Sequence, residues 1–177
     1  MKWILFLLVW SFIASAAIAG LSAAPWVPTR KRERNQLKKI PLPAQGIVMD
    51  LGCGDGSLLF GLKETAPTLR YIGYDISLIP LCIGWIRILM HQKKYHGVSL
   101  RFGNLFSIDP SRADVVTLFL MPNSYKKIIK KIGPRLKDDC LVLVEAWPLP
   151  NITPEASFAE QGALPIFLYH GRQLKSL

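Results

Sequence analysis

The sequence predicts an α/β fold: about six or seven mostly parallel strands with helices on both faces, preceded by one N-terminal transmembrane helix. Three observations support this prediction. Short apolar segments alternate with helical patterns of roughly ten residues. One apolar segment, Ile47–Leu51, runs directly into closely spaced glycines. Finally, residues 3–21 contain no charged side chain.

The first core strand and the turn after it are the most informative part of the chain. The strand is predicted at Ile47–Leu51 and the next helix at Ser57–Thr65, with Gly52, Gly54 and Gly56 between them. Glycine permits unusual backbone angles and lets a ligand approach the main chain, and the helix N-terminus offers free N–H groups. The pattern indicates a cofactor-binding turn at the carboxyl end of a strand. The alternative is a tight strand–helix turn without a ligand.

The later elements continue the same alternation. Strands separated by helices in this way favour a parallel sheet with helices on both faces. The predicted strands are 71–74, 98–102, 114–120, 141–146 and 164–170, and the predicted helices are 80–94 and 124–132.

An acidic residue ends the second predicted strand. Asp75 lies about twenty residues beyond the glycine turn, where nucleotide-binding α/β folds place a carboxylate on ribose hydroxyls. A carboxylate suits a vicinal diol because it can accept two hydrogen bonds. The alternative is an aspartate that caps the following helix.

The glycine spacing distinguishes between cofactors. A dinucleotide fingerprint, Gly-x-Gly-x-x-Gly, would need glycine at the position of Ser57. The stretch from Asp50 to Gly56 instead resembles the first motif of class I S-adenosylmethionine-dependent methyltransferases, which have a Rossmann-like sheet. The resemblance implies that the turn wraps the methionine part of the cofactor and that Asp50 holds its ammonium group. It also implies adenine contacts from Asn104 and the Leu105 backbone, although many relatives have Asp in place of Asn104. The implied cofactor-binding residues are Asp50, Gly52, Cys53, Gly54, Asp55, Gly56, Asp75, Ile76, Asn104 and Leu105.

The N-terminal region has the features of a membrane anchor. The uncharged stretch 3–21 is followed by Arg30, Lys31, Arg32, Arg34, Lys38 and Lys39. The positive-inside rule then places everything after residue 25 on the cytosolic or matrix side. We expect an anchor at 1–24, a basic linker at 25–45 and the catalytic domain at 46–177. A cleaved signal peptide is the alternative, since small residues near positions 14–24 could supply a cleavage site.

Cysteine spacing and charge bear on the expected metals and partners. Cys53, Cys82 and Cys140 do not form an even disulfide set, and no Cys/His cluster has metal-ligand spacing, so no metal is expected. The net charge is +10. Much of it lies beside the predicted anchor, where anionic lipid headgroups would attract it. No basic motif interleaved with aromatic residues is present, so no nucleic-acid partner is expected.

Two proline-rich segments make the resemblance more specific. Pro25-Trp-Val-Pro-Thr29 follows the predicted anchor, and Ala146-Trp-Pro-Leu-Pro150 follows the fifth predicted strand. Together with the glycine turn they resemble the membrane-anchored protein-lysine methyltransferases that modify the ADP/ATP carrier and the ATP synthase c-subunit in mitochondria, and their prokaryotic relatives. The chain departs from that family at Arg30, where proline is usual, and at Asp75, where Glu is frequent. We also expect a shortened final hairpin.

The resemblance implies methyl transfer to a lysine of a membrane-associated protein. It points to no catalytic base. The substrate-site candidates are Thr29, Pro122, Asn123 and Trp147. The alternatives are a linker turn for Thr29, a helix cap for the Pro122–Asn123 loop, and core or rim packing for Trp147. A small-molecule or lipid methyltransferase, or a non-catalytic S-adenosylmethionine-binding module, would share the same cofactor site.

Overall fold

The computed structural model describes residues 3, 6, 10 and 36–175. Its helices and strands alternate as the sequence predicts. In chain order they are β1 (Ile47–Leu51), α1 (Ser57–Thr65), β2 (Arg70–Asp75), α2 (Leu78–Met90), β3 (Val98–Phe102), β4 (Val115–Leu118), α3 (Pro122–Ile132), β5 (Leu141–Glu145), β6 (Ala156–Phe158), β7 (Ile166–His170) and α4 (Gly171–Lys175).

All strands belong to one seven-stranded sheet with the order β3-β2-β1-β4-β5-β7-β6. The five strands from β3 to β5 pair in parallel, and β7 is antiparallel to both β5 and β6. The connections change direction beside β1, because β2 lies on one side of it and β4 on the other. Open α/β sheets bind ligands at the carboxyl ends of strands beside such a switch point. The predicted Rossmann-like α/β sheet is confirmed.

A hydrophobic core covers each face of the sheet. On one face, Leu59 of α1 and Leu81 of α2 pack against Val48 of β1. On the other, Tyr125 and the isoleucines of α3 pack against Leu51. The period-two alternation of β1 sends Val48 and Asp50 to the first face and Met49 and Leu51 to the second. Asp50 is therefore directed into the layer that holds α1 and α2.

Several element boundaries differ from the predicted ones. Helix α2 begins at Leu78 and ends at Met90, whereas the apolar pattern predicts 80–94. Residues 91–97 form turns instead, and the positive φ of Gly97 redirects the chain into β3. The sequence pattern misses β6, which has only three residues. The final hairpin is nevertheless present as β6 and β7.

Part of the predicted linker packs into the domain. Leu37 and Ile40 are buried in the same core cluster as α1. The Gln36 side-chain amide donates a hydrogen bond to the Leu164 carbonyl at 2.8 Å. Apolar side chains at positions 37 and 40 lie one helical turn apart, so both can face the core. The packed unit thus includes residues before position 46.

The predicted anchor, most of the linker and Thr29 lie outside the described residues. Within the described residues, no helix combines the length and the apolar character that crossing a bilayer would require.

Candidate functional site

The turn after β1 has a backbone that favours glycine. Gly52, Gly54 and Gly56 have φ angles of 94°, 54° and 78°. Other residues are strained in this region because their Cβ crowds the backbone. A Cβ at Gly52 would lie 2.9 Å from Leu120 Cδ2, and one at Gly56 would lie 3.0 Å from Leu100 Cδ2. The glycine spacing therefore has a steric cause at this turn.

Backbone hydrogen bonds attach the turn to the end of β2. The N–H groups of Gly52 and Cys53 both donate to the Tyr74 carbonyl, at 2.8 and 3.1 Å. The Gly54 N–H donates to Asp75 Oδ2 at 2.8 Å. The structure thus brings the predicted ribose ligand directly beside the glycine turn.

The second oxygen of Asp75 also has a backbone partner. Oδ1 accepts a hydrogen bond from the Ser77 N–H at 2.7 Å, just before α2 begins. The alternative role predicted for Asp75, capping the helix that follows β2, is therefore also present. Each carboxylate oxygen has more than one acceptor site, so Asp75 can still accept from a diol. Ile76 lies between these two residues and is half-buried.

Asp50 is a buried carboxyl group beneath the turn. It is 2% exposed, and Thr117 Oγ1 donates a hydrogen bond to its Oδ1 at 2.7 Å. Burial raises the pKa of Asp50 to about 7; the Thr117 hydrogen bond opposes this shift, and the charges of Asp75 and Asp55 add to it. Burial and like charges both disfavour its ionised form, and a cation bound nearby would offset both effects. The site is thus suited to a positively charged ligand.

Asp55 holds the turn in place. It is buried, and its carboxylate accepts hydrogen bonds from the Ser57 N–H at 3.1 Å and the Ser57 hydroxyl at 2.9 Å. Arg87 of α2 donates to the same carboxylate at 3.2 Å and lies over the Phe60 ring. The side chain of Asp55 therefore connects the turn to α1 and α2, and its predicted contribution to cofactor binding stays a prediction.

Replacing Arg87 with methionine should destabilise the fold. The substitution keeps an apolar stem over Phe60 but leaves the carboxylate of Asp55 buried without its cation. We expect the free energy of unfolding to fall by about 2–3 kcal/mol. Urea denaturation measures it. The double variant R87M/D55N should recover part of the loss, and an R87M variant as stable as the wild type would contradict this role for the ion pair.

Gly84 of α2 allows an unusually close approach to the turn. A Cβ there would lie 2.6 Å from the Asp55 carbonyl oxygen and 2.2 Å from Leu100 Cδ1. Sequence reasoning does not identify Gly84 or Arg87 as supports of the site. A glycine inside an otherwise strongly apolar helical pattern is the signal that could have found Gly84, since helix interiors disfavour glycine.

The predicted adenine-binding residues lie at the next strand end. Asn104 is exposed, and its Oδ1 accepts a hydrogen bond from the Phe106 N–H at 3.0 Å, where it caps a short 3-10 helix at Leu105–Ser107. The side chain of Leu105 approaches the turn, because a Cβ on Gly52 would lie 3.8 Å from its Cδ2. The structure therefore groups Leu105 with the turn and gives the side chain of Asn104 a capping role.

An aromatic pair lies across the carboxyl ends of β4 and β5. Phe119 follows β4 and Trp147 follows β5, and their rings stack with centroids 6.4 Å apart. Pro122 and Asn123 are exposed and begin α3. Sequence reasoning identified Trp147 but not Phe119, because the pairing depends on the register of two strands. The predicted substrate-site residues that the structure describes all lie at this edge of the sheet.

The residues present fit S-adenosylmethionine. This molecule carries a cationic sulfur and an ammonium group, and the turn has the buried Asp50 and nearby Asp75 to face positive charge. A turn of glycines without side chains suits its close approach to the main chain. Within the described part of the chain, no cluster of three or more His, Cys, Asp or Glu side chains could hold a metal ion.

Comparison with known proteins identifies relatives of the chain. A protein-lysine N-methyltransferase of Saccharolobus islandicus is 29% identical over 153 residues, which cover 82% of this chain and 92% of the relative. An ATP synthase c-subunit lysine N-methyltransferase of Xenopus laevis is 23% identical over 170 residues, covering 85% and 74%. The crystal structure of an RNA methyltransferase from Salinibacter ruber with S-adenosyl-L-homocysteine superposes with a TM-score of 0.73 at 23% identity, covering 81% of this chain and 93% of that one. At that identity, the superposition shows the fold alone.

A family model gives the assignment. The ANTKMT methyltransferase domain matches residues 50–156, which run from the acidic residue before the glycine turn to the start of β6. The matched region includes the turn, Asp75 and the edge with the aromatic pair. The chain therefore belongs to the ANTKMT methyltransferase domain family and is an S-adenosylmethionine-dependent methyltransferase.

Proposed function

We propose that the chain is a protein-lysine N-methyltransferase that acts on a membrane-associated protein. The observation that carries this proposal is the arrangement at the carboxyl edge of the sheet. The glycine turn, with the carboxylates of Asp50 and Asp75, lies at the ends of β1 and β2. The aromatic pair Phe119–Trp147 lies at the ends of β4 and β5. The relatives from Saccharolobus islandicus and Xenopus laevis carry the names of lysine methyltransferases, which supports the same acceptor.

The cofactor supplies a methyl group on a cationic sulfur, which an amine can attack directly. Asp50 would hold the ammonium end of the cofactor, and Asp75 would accept hydrogen bonds from its ribose. Together with the glycine turn, these two carboxylates would fix the direction from which the amine must approach. Positioning of this kind can supply much of the rate acceleration without acid–base catalysis of the methyl group itself.

The acceptor amine must lose its proton before it attacks. Free lysine has a pKa of about 10.4, so it is mostly charged at neutral pH. The stacked Phe119 and Trp147 rings offer an apolar surface on which the lysine stem can lie. Removal of water there lowers the pKa of an approaching lysine, and a neighbouring positive charge lowers it further. No side chain of the chain needs to act as a strong base.

The N-terminal region supports a membrane location for the substrate. We assign residues 1–24 to a single-pass anchor, with the catalytic domain on the cytosolic or matrix side. The uncharged stretch 3–21 and the basic residues after it support this assignment. A tether raises the effective concentration of the active site at the bilayer.

Deletion of residues 1–24 should separate cofactor binding from activity on membranes. We expect the dissociation constant for S-adenosylmethionine to change less than about twofold, because the tether acts only through local concentration. Methylation of proteins in membrane vesicles should fall by about tenfold or more. Calorimetry and transfer of tritiated methyl groups measure the two quantities. If the truncated and intact proteins were equally active on vesicles, residues 1–24 would not act as a tether.

The acceptor is tested with purified full-length protein, membrane fractions and tritiated S-adenosylmethionine. We expect radioactivity in protein, and acid hydrolysis should release it as methylated lysine. A Gly54→Arg variant serves as the control, because its side chain would occupy the glycine turn and prevent cofactor binding. Label in the lipid extract would indicate a lipid methyltransferase instead, and a protein that binds the cofactor but transfers nothing would be a binding module.

A further inference from the structure

Helix α2 exposes a continuous apolar face. All of its exposed side chains are apolar: Leu78, Cys82, Ile83, Trp85, Ile86, Leu89 and Met90. Ile86, Leu89 and Met90 are 57%, 68% and 71% exposed. Positions 78, 82, 85, 86 and 89 follow helical spacing and form one stripe. The opposite side of the helix, with Leu81 and Gly84, faces the core.

Helix α3 shows what an ordinary surface helix of this protein looks like. It buries Tyr125, Ile128, Ile129 and Ile132 and exposes Lys126, Lys127, Lys130 and Lys131. This is the usual amphipathic pattern, with an apolar face inward and a charged face outward. Helix α2 is apolar on both faces. Large contiguous apolar surfaces on a folded protein mark sites that bind a partner or a membrane.

Basic side chains lie beyond the C-terminal end of α2 and next to Phe102. Residues 76–108 contain no Asp or Glu. The helix is followed by exposed Lys93 and Lys94, and Arg101 is exposed next to Phe102, which is 61% exposed. Lys94 forms an ion pair with Glu64, whereas Arg101 lies over the Tyr74 ring. An apolar surface with a cationic border complements the interface of a bilayer that contains anionic lipids.

The position of this face relates it to the active site. Leu78 lies three residues after Asp75, and Phe102 is the last residue of β3. The Trp85 indole N–H donates to the Leu100 carbonyl at 2.9 Å, which holds the ring at the junction of α2 and β3. The apolar face therefore begins beside Asp75, at the carboxyl ends of β2 and β3, and extends away from the glycine turn.

We propose that the exposed face of α2, with Phe102, docks on the surface of an anionic lipid bilayer. The cationic border favours this occupant over a second copy of the chain, because two copies would bring like charges together. It also favours lipid headgroups over the uncharged stretch 3–21, which offers no acidic group to the border. Docking would hold the carboxyl edge of the sheet beside the headgroups, within reach of lysines that emerge from the membrane. The proposal thus deepens the proposed function, on which it rests, by orienting the active site.

Cys82 provides a natural labelling site for the test. It is the exposed cysteine on the apolar face, whereas Cys53 and Cys140 are buried. The full-length protein is labelled at Cys82 with a thiol-reactive NBD fluorophore. It is then reconstituted into phosphatidylcholine vesicles with or without about one-third phosphatidylglycerol. Some of the lipid carries a nitroxide quencher near the headgroup.

We expect the nitroxide to quench the Cys82 probe about threefold or more in anionic vesicles, and less in neutral vesicles or high salt. A matched probe on α3, in the variant C82S/K130C, should show little quenching. The variant I86E/L89E should abolish quenching of the Cys82 probe with the circular dichroism spectrum unchanged. In the variant K126E/K130E each substitution changes the charge by more than in I86E/L89E, because a lysine becomes a glutamate. This variant should still show quenching of the Cys82 probe.

Two outcomes would overturn the docking proposal. A Cys82 probe that lipid nitroxides do not quench would mean that the face meets water, a second copy or another part of the chain. Quenching that disappears in K126E/K130E but persists in I86E/L89E would place the lipid contact on α3. The measurement reports contact with lipid and not methyl transfer, so its failure is distinguishable from failure of the proposed lysine methyltransferase activity.

Discussion

Replacing Asp50 with asparagine should weaken S-adenosylmethionine binding by about 100-fold, or ~3 kcal/mol. Asparagine keeps the shape of the side chain and an oxygen that can accept from Thr117 Oγ1. It removes the negative charge beneath the glycine turn, which the ammonium group of the cofactor would otherwise neutralise. Isothermal titration calorimetry at pH 8 measures the change.

The same substitution should stabilise the protein without ligand. Burial raises the pKa of Asp50 from 3.8 to about 7. Because the folded pKa lies above the unfolded one, stability is lost as pH rises from about 4 to 7 and stays low above that range. A shift of this size corresponds to ~4 kcal/mol at most. Above pH 7 we therefore expect D50N to unfold at a higher denaturant concentration than the wild type.

The pH dependence of binding provides a further check on Asp50. Cofactor affinity of the wild type should decrease as pH falls below about 7, because protonation removes the charge that would hold the ammonium group. D50N should lack this dependence. Thr117→Val is the matched control: it removes the hydrogen bond that opposes the shift, so the midpoint should move to higher pH. Equal affinity of D50N and the wild type would show that Asp50 does not face the cofactor.

Replacing Gly84 with alanine should destabilise the fold by about 2–3 kcal/mol. The added Cβ would lie 2.6 Å from the Asp55 carbonyl oxygen, and this backbone atom cannot rotate away. Alanine favours a helix by ~1 kcal/mol over glycine, so the steric effect must exceed that gain. Helix α2 would have to move away from the glycine turn, which would lengthen the Arg87–Asp55 ion pair.

Gly103→Ala is a matched control for this effect. A Cβ at Gly103 would lie 3.3 Å from Tyr74 Cδ1, an atom of a side chain that can shift slightly. We expect it to cost less than about 1 kcal/mol. Guanidinium denaturation compares the two variants, and calorimetry shows whether cofactor binding weakens with G84A. If G84A proved as stable as the wild type, α2 could approach the turn by less than the structure indicates.

The sequence predicts the elements around the cofactor turn well. The bounds of β1, α1 and β3 agree with the structure to the residue, because apolar runs there meet glycine, proline or charged residues abruptly. The prediction for α2 extends four residues too far, since lysines are good helix formers and nothing local stops the pattern. The short strand β6 has no pattern long enough to recognise, and it forms because β7 pairs with it.

The residues of the candidate site also fall into those that local sequence predicts and those that it does not. The positions of the glycine turn and Asp75 at neighbouring strand ends are predicted, because each depends on one strand and the residues that follow it; their contacts with the cofactor stay predictions. Gly84, Arg87 and Phe119 are not predicted, because their roles depend on contacts between elements distant along the chain. Thirty-two residues separate Arg87 from Asp55. Likewise, the stacking of Phe119 on Trp147 requires β4 and β5 to be neighbours.

The carboxylate of Asp75 has a particular consequence for binding. Main-chain donors on both sides, from Gly54 and Ser77, already fix its torsion angles. A ribose bound there as predicted would meet an acceptor that does not have to reorganise, so little side-chain entropy would remain to be lost. We therefore expect the side chain of Asp75 to have the same conformation with and without ligand.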